Sequence, residues 1–124
     1  MAKITIRGKE YPLHFSLNAI GQVQDRYGEV SKLSDKFQKP AEAAWILSVL
    51  ITEGLKLNAL ENGGSAQAMS AEMLSTLMTY KDLKSDESMQ AVVDCINESL
   101  GAEKNLTAEE LMTIGKTALA QTKE

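Results

Sequence analysis

In the opening "KITIRG", Ile4 and Ile6 alternate with Lys3, Thr5 and Arg7, which is the two-residue period of a half-buried strand. Gly8-Lys9 follows as a tight turn. "YPLHF" then sets Tyr11, Leu13 and Phe15 on one face and Pro12 and His14 on the other. Proline cannot donate to a ladder, so this second strand is an edge or begins as one. A two-stranded hairpin is marginal alone, and its apolar face must therefore lie on helices.

From Ser16 onward the period lengthens. Ser16 is an N-cap residue type, and Leu17, Ile20, Val23 and Tyr27 recur at spacings of three and four. That pattern predicts one helix with a single apolar stripe, and Gly28 ends it. Val30, Leu33 and Phe37 keep the same spacing over a short helix. Pro40 sits where a first helical turn tolerates it. The segment from Ala41 to Leu60 is apolar around most of its circumference in its first half, as expected of a central buried helix. Gly54 within it marks either a close crossing or the end of the element.

"ENGGSAQ" reads as a loop, and three further helices follow. One starts at Ser70, with Met73, Leu74, Leu77 and Met78 on its apolar side. A second runs from near Ser85 to near Gly101, carrying Met89, Val92, Val93, Ile96 and Leu100. The last opens on Thr107 and Glu110 as a capping box, with Leu106 and Leu111 as a staple; Leu111, Ile114 and Ala118 continue its stripe. The expected fold is mainly α (α+β), an N-terminal two-stranded β-hairpin packed on about four to six helices. It forms one domain over residues 1–124: the hairpin in 1–15, the first helices in 16–60 and the C-terminal helices in 70–121.

Size and composition change this picture little. The chain has 124 residues, 44% hydrophobic and 24% charged, values ordinary for one globular core. "AAWILSVLI" is the longest nearly apolar run, well under the roughly 20 residues that cross a bilayer. The N-terminus lacks the apolar core of a signal peptide, and one cysteine cannot form an internal disulfide. A soluble, cytoplasmic protein is expected, with no membrane partner. Charge adds an asymmetry: residues 1–39 sum to +3 and residues 40–124 to −7. The acidic balance opposes nucleic-acid binding, while the uneven distribution suits orientation against a partner of mixed charge.

The side chains offer little chemistry. His14 is the only histidine and sits opposite Leu13 and Phe15 in the alternation, so it faces solvent without a metal-binding companion. Cys95 lies among Val92, Val93 and Ile96, the setting of a buried, inert thiol. The pairs Asp86/Glu87 and Glu109/Glu110 fall in first helical turns, where acidic charge complements the helix dipole. There is no serine–histidine–acid set, phosphate loop or calcium loop. An enzyme, a metal and a cofactor are therefore not expected.

Methionine carries more information. Met69, Met73, Met78, Met89 and Met112 all lie in the second half of the chain; flexible thioethers fill irregular cores and also line adaptable grooves. Trp45 has the same two readings, core or interface anchor.

"ITIRGKEYPLHFSLNAIGQVQDRYG" followed by "AEAAWILSVLITEGLKLNA" resembles the tail assembly chaperones of long-tailed bacteriophages and prophages. Gly8, Lys9, Glu10, Tyr11, Leu13, Phe15, Leu17, Tyr27 and Gly28 carry the likeness, then Trp45, Leu47, Leu50 and Gly54. It covers roughly residues 3–60. The resemblance implies a non-enzymatic factor of the bacterial host cytoplasm that binds the tape-measure protein and helps recruit tail-tube subunits, with self-association along the partner. Binding of a long helix in an apolar groove would involve Met73, Leu74, Leu77 and Met78 together with Trp45. A tail-completion or connector protein of the virion is an alternative. A small regulator or antitoxin is another, but it would need a basic recognition helix, and the helices after residue 40 are acidic or neutral.

Overall fold

A computed structural model describes residues 2–100 of the chain. Strands β1 (Lys3–Ile6) and β2 (Lys9–Pro12) pair antiparallel, with Ile6 opposite Lys9 and Ile4 opposite Tyr11. The two-residue turn between them is Arg7-Gly8, both at positive φ (51° and 82°), not the expected Gly8-Lys9. A connection whose twist matches the strands needs positive φ at both central positions, and that releases Lys9 into the ladder. Ile4 and Ile6 point into the core as their alternation requires.

The expected helices follow. Helix α1 spans Leu17–Tyr27, capped by the Ser16 hydroxyl, which accepts from the Ala19 N–H at 3.1 Å, and closed at Gly28. Its buried face is Ala19 and Val23, with Ile20 and Tyr27 half-buried. Leu17, placed by the spacing on that stripe, is instead 86% exposed. The Ser16 cap sets the rotation of the first turn, and the i, i+4 series 19–23–27 takes the inner face.

A single 3₁₀ turn (Val30–Lys32) leads into the four-residue helix α2 (Leu33–Lys36), whose first residue Leu33 and C-cap Phe37 are buried. Helix α3 runs from Pro40 to Asn62, so Gly54 does not end it. From Ala43 to Gly54 nearly every position is buried, including Ser48 and Glu53; beyond Leu55 exposure alternates and Leu60 is bare. With few charges along its 23 residues, α3 is long and apolar enough to cross a membrane. Yet 56% of its most apolar window is buried inside the protein, as in a core helix.

After the glycine loop, the Met69 backbone is pinned to α3. The Thr52 hydroxyl accepts from the Met69 N–H at 2.9 Å and donates to its carbonyl at 3.2 Å. Helix α4 (Ala71–Leu77) starts at the Ser70 cap and lies on α3. Sequence periodicity did not separate the next element, α5 (Tyr80–Leu83). Its capping box joins Thr79 and Asp82, a pattern present in the sequence as Thr-x-x-Asp. Helix α6 (Asp86–Leu100) buries Met89, Val92, Val93, Cys95 and Ile96 and packs beneath β1, as α3 packs beneath β2. The helix expected from Thr107, with Leu106, Leu111, Met112 and Ile114, lies outside the described residues.

Hairpin and central helix meet at Gly54. A Cβ there would fall 2.2 Å from the Pro12 carbonyl oxygen and 2.5 Å from its carbon. The neighbouring His14 N–H donates to the Leu50 carbonyl of α3 at 3.1 Å. Gly21 of α1, by contrast, has open space around it. Opposite signs are therefore expected for two chemically identical substitutions. Gly21→Ala should stabilise by about 0.5–1 kcal/mol, the usual helix gain. Gly54→Ala should destabilise by about 1–3 kcal/mol despite that gain, because a rigid backbone must move. Urea unfolding of the two variants against wild type checks both signs.

Candidate functional site

One stripe of α3 borders a cleft between α1 and the approach to α4. Trp45, Ser48, Val49, Thr52, Glu53 and Lys56 recur at spacings of three and one, so they form a single stripe about 16 Å long. They floor a cleft of about 390 Å³ between α1, which contributes Gln22, and the Met69–Ala71 start of α4. The floor is apolar at Val49 and Met69 and polar at its sides.

The Trp45 end is held rigid by side chains from two helices. Its ring meets Tyr27 edge-on, with centroids 5.6 Å apart at 82°. The Arg26 guanidinium lies over the indole at 4.4 Å, a geometry favourable by its charge and by its stacking. Glu42, one turn before Trp45, fixes both partners: Tyr27 Oη donates to Oε1 at 2.6 Å and Arg26 Nε at 3.0 Å. The Tyr27 bond, then that of Arg26, holds the Glu42 carboxyl below the usual glutamate range. Burial, reinforced by the bond to Glu42, pushes the Tyr27 hydroxyl upward. Trp45 is thus half-buried and pre-set, with part of its surface open.

At the other end sits Glu53, 4% exposed. Its Oε1 accepts from Ser16 Oγ at 2.7 Å and Asn18 Nδ2 at 3.3 Å, and Oε2 lies 2.7 Å from Lys56 Nζ. Burial alone would raise this carboxyl; the hydrogen bonds from Lys56, Ser16 and Asn18 outweigh it and hold it below its ordinary 4.5. The carboxylate therefore joins the start of α1 to α3 and supplies the charged end of the cleft. Nothing in the spacing of the sequence singled out Glu53, although an acid in the middle of the most apolar helix was the available signal.

The five residues proposed from the sequence do not converge on one surface. Trp45 stands in the cleft just described. Met73, 51% exposed, lies at a different opening with Tyr11 and Leu55. Leu74 is 1% exposed and belongs to the core, so it is not part of an accessible groove in this conformation. Leu77 and Met78 are half-buried against the core. Leu74 and Met78 border a small apolar pocket of about 160 Å³ with Pro40, Ala44 and Tyr80. The reason is geometric: α4 has only seven residues and lies flat on α3, so consecutive residues point to different sides.

The remaining candidates fall as follows. His14 is half-buried, not on the open face expected from the alternation, because its backbone is drawn onto α3. Cys95 is 1% exposed; burial pushes its thiol up to about 12, with the Glu98 carboxylate adding to the effect. A thiol so placed is a poor nucleophile. Asp86 and Glu87 occupy the first turn of α6, while Glu109/Glu110 lie outside the described residues.

The Glu53 geometry predicts a pH dependence. A carboxyl depressed on folding stabilises the native state above its unfolded pKa and loses that contribution as pH falls through the folded one. Glu53→Gln should therefore be less stable than wild type at about pH 6, and the gap should narrow towards about pH 3. Glu53→Ala should cost about 2–3 kcal/mol at neutral pH, since Ser16 and Asn18 lose a charged acceptor. Chemical denaturation across pH measures both.

Comparison of the chain with protein-family models, curated proteins and solved structures finds no match.

Proposed function

We propose that this chain is a non-enzymatic assembly chaperone of phage tails, acting in the bacterial cytoplasm. It binds the long, apolar-striped helix of a tape-measure protein, keeps it soluble and helps recruit tail-tube subunits. The observation that carries this reading is the cleft along α3 with Trp45 at its mouth. A cleft between α1 and α4, with a pre-set, half-open tryptophan at one end and the exposed Gln22 and Lys56 at its rim, suits the side chains of an amphipathic helix docked over it.

The resemblance over residues 3–60 supplies the class of partner. Several of its residues have structural roles here: Gly8 forms the turn, Leu13 and Phe15 are core, Gly28 closes α1, and Gly54 admits the Pro12 backbone. Trp45 is the anchor, because tryptophan, tyrosine and arginine concentrate binding energy when clustered, and Arg26 and Tyr27 stand against it. Met73 adds an adaptable exposed thioether at the neighbouring opening. Leu74, Leu77 and Met78 contribute from beneath by holding α4 on α3. Several copies side by side would coat a partner whose stripe repeats.

Co-expression with a phage tape-measure protein tests the proposal. The wild-type chain should keep that protein soluble and co-purify with it. Trp45→Ala and, separately, the exposed wall change Gln22→Arg should each weaken binding about tenfold or more, equivalent to about 1.4 kcal/mol. The helical circular dichroism of Gln22→Arg should be unchanged. Equal binding by a folded Gln22→Arg and by Trp45→Ala would remove the cleft from the account. Failure of wild type to hold the tape measure in solution would overturn the function.

A further inference from the structure

The hairpin has two outer edges, and they are treated differently. The Leu13 N–H donates to the Ala2 carbonyl at 2.8 Å. With Ile4 opposite Tyr11 and Ile6 opposite Lys9, this parity turns the main-chain groups of Ala2, Ile4 and Ile6 towards β2. Those of Lys3 and Thr5 turn outward. The outer edge of β2 is occupied at its Pro12 end, where Pro12 has no N–H, its carbonyl rests against Gly54, and His14 is bonded to Leu50; the outward groups of Glu10 meet no main-chain partner among the described residues. At the outer edge of β1, no group among the described residues meets the Thr5 N–H or carbonyl.

That edge does not face bulk solvent on both sides. A cleft of about 360 Å³ separates Lys3–Thr5 from α6, where Glu87, Gln90, Ala91 and Asp94 form one helical stripe. Gln90 Nε2 donates to Asp94 Oδ1 at 2.9 Å. Among the described residues no lysine or arginine pairs with Glu87 or Asp94. Among the described residues, one wall of the slot is thus unpaired backbone and the other carries two carboxylates outside any ion pair, with Lys3, paired to Glu10 at 3.6 Å, at the rim.

We propose that the open edge of β1 and the acidic face of α6 form a slot that takes an extended, basic segment of a partner protein by strand addition. The main chain of that segment continues the sheet beyond Thr5, at the usual interstrand spacing of about 4.8 Å. Its alternate side chains on the helix side are lysine or arginine, opposite Glu87 and Asp94. A second copy of this chain is a poor occupant. Its own β1 arrives with α6 alongside, which sets the two acidic faces against each other. The four-residue length of β1 limits the addition to a short segment and keeps the edge from templating aggregation. This site is separate from the α3 cleft and does not depend on the tail-assembly reading.

The test uses the full chain and two capped octapeptides, one alternating lysine with valine and one alternating glutamate with valine. In an NMR titration the lysine peptide should shift the amides of Lys3 and Thr5 together with those of the Glu87–Asp94 stripe. Its affinity should exceed that of the glutamate peptide by about tenfold or more. Thr5→Pro, which deletes the edge donor at a position where an edge strand accepts proline, should weaken binding by a similar factor. The double change Glu87→Gln/Asp94→Asn, at exposed positions, should do so without altering the fold. The proposal is overturned if the Thr5 amide does not move at millimolar lysine peptide, or if the double variant binds as tightly as wild type.

Discussion

Two backbones touch where Pro12 lies on Gly54, and the segment that makes this contact ties β1, α1, α3 and α6 together. From Leu13 to Ser16 each residue is bound to another element of the protein. The Leu13 N–H reaches Ala2 beside β1, and that of His14 reaches Leu50 in α3. The Phe15 carbonyl accepts from Ser99 Oγ of α6 at 2.6 Å. The Ser16 hydroxyl donates to Glu53 of α3 while capping α1. Leu13 and Phe15 are meanwhile fully buried between these helices. Only a glycine in α3 permits this approach, since any side chain would occupy the space of the Pro12 carbonyl.

The crossing also decides which surfaces are left over. With β2 against one side of α3 and α4 lying along another, α1 is steered by Ser16 and Asn18 onto Glu53, and a cleft from Trp45 to Lys56 is left between α1 and α4. The same arrangement occupies the outer edge of β2 at Pro12, while the outer edge of β1 at Thr5 borders the acidic stripe of α6. Both candidate binding surfaces are thus consequences of one packing choice: an apolar-floored cleft for a helix, and an acidic slot for a strand. They differ in the charge and backbone shape they accept, so one partner class need not compete with the other.

Local features were legible in the sequence because local forces fix them. The Ile4/Ile6 alternation, the Ser16 and Ser70 caps, Gly28 and Pro40 all express their structural roles within a few neighbouring residues. What escaped was set by contacts between distant residues. Leu17 fits the α1 stripe by spacing, yet the Ser16–Glu53 bond turns it outward. Met73 and Leu74 both read as part of one apolar side, but α4 lies flat on α3 and sends only Leu74 into the core. Gly54 carried both possible meanings until the Pro12 backbone was placed beside it. Trp45 could be read only as core or anchor; its half-open position depends on Tyr27 and Arg26 arriving from another helix.

The central claim is that the Pro12–Ser16 segment and the middle of α3 form one cooperative unit. Native-state amide hydrogen exchange tests it most directly, because it reports the opening free energy of each N–H separately. The account predicts that Leu13 and His14 exchange only through global unfolding, at the same free energy as the amides from Leu47 to Ile51. Exchange of His14 at the rate of the loop from residue 64 to residue 68, while α3 stays protected, would contradict it.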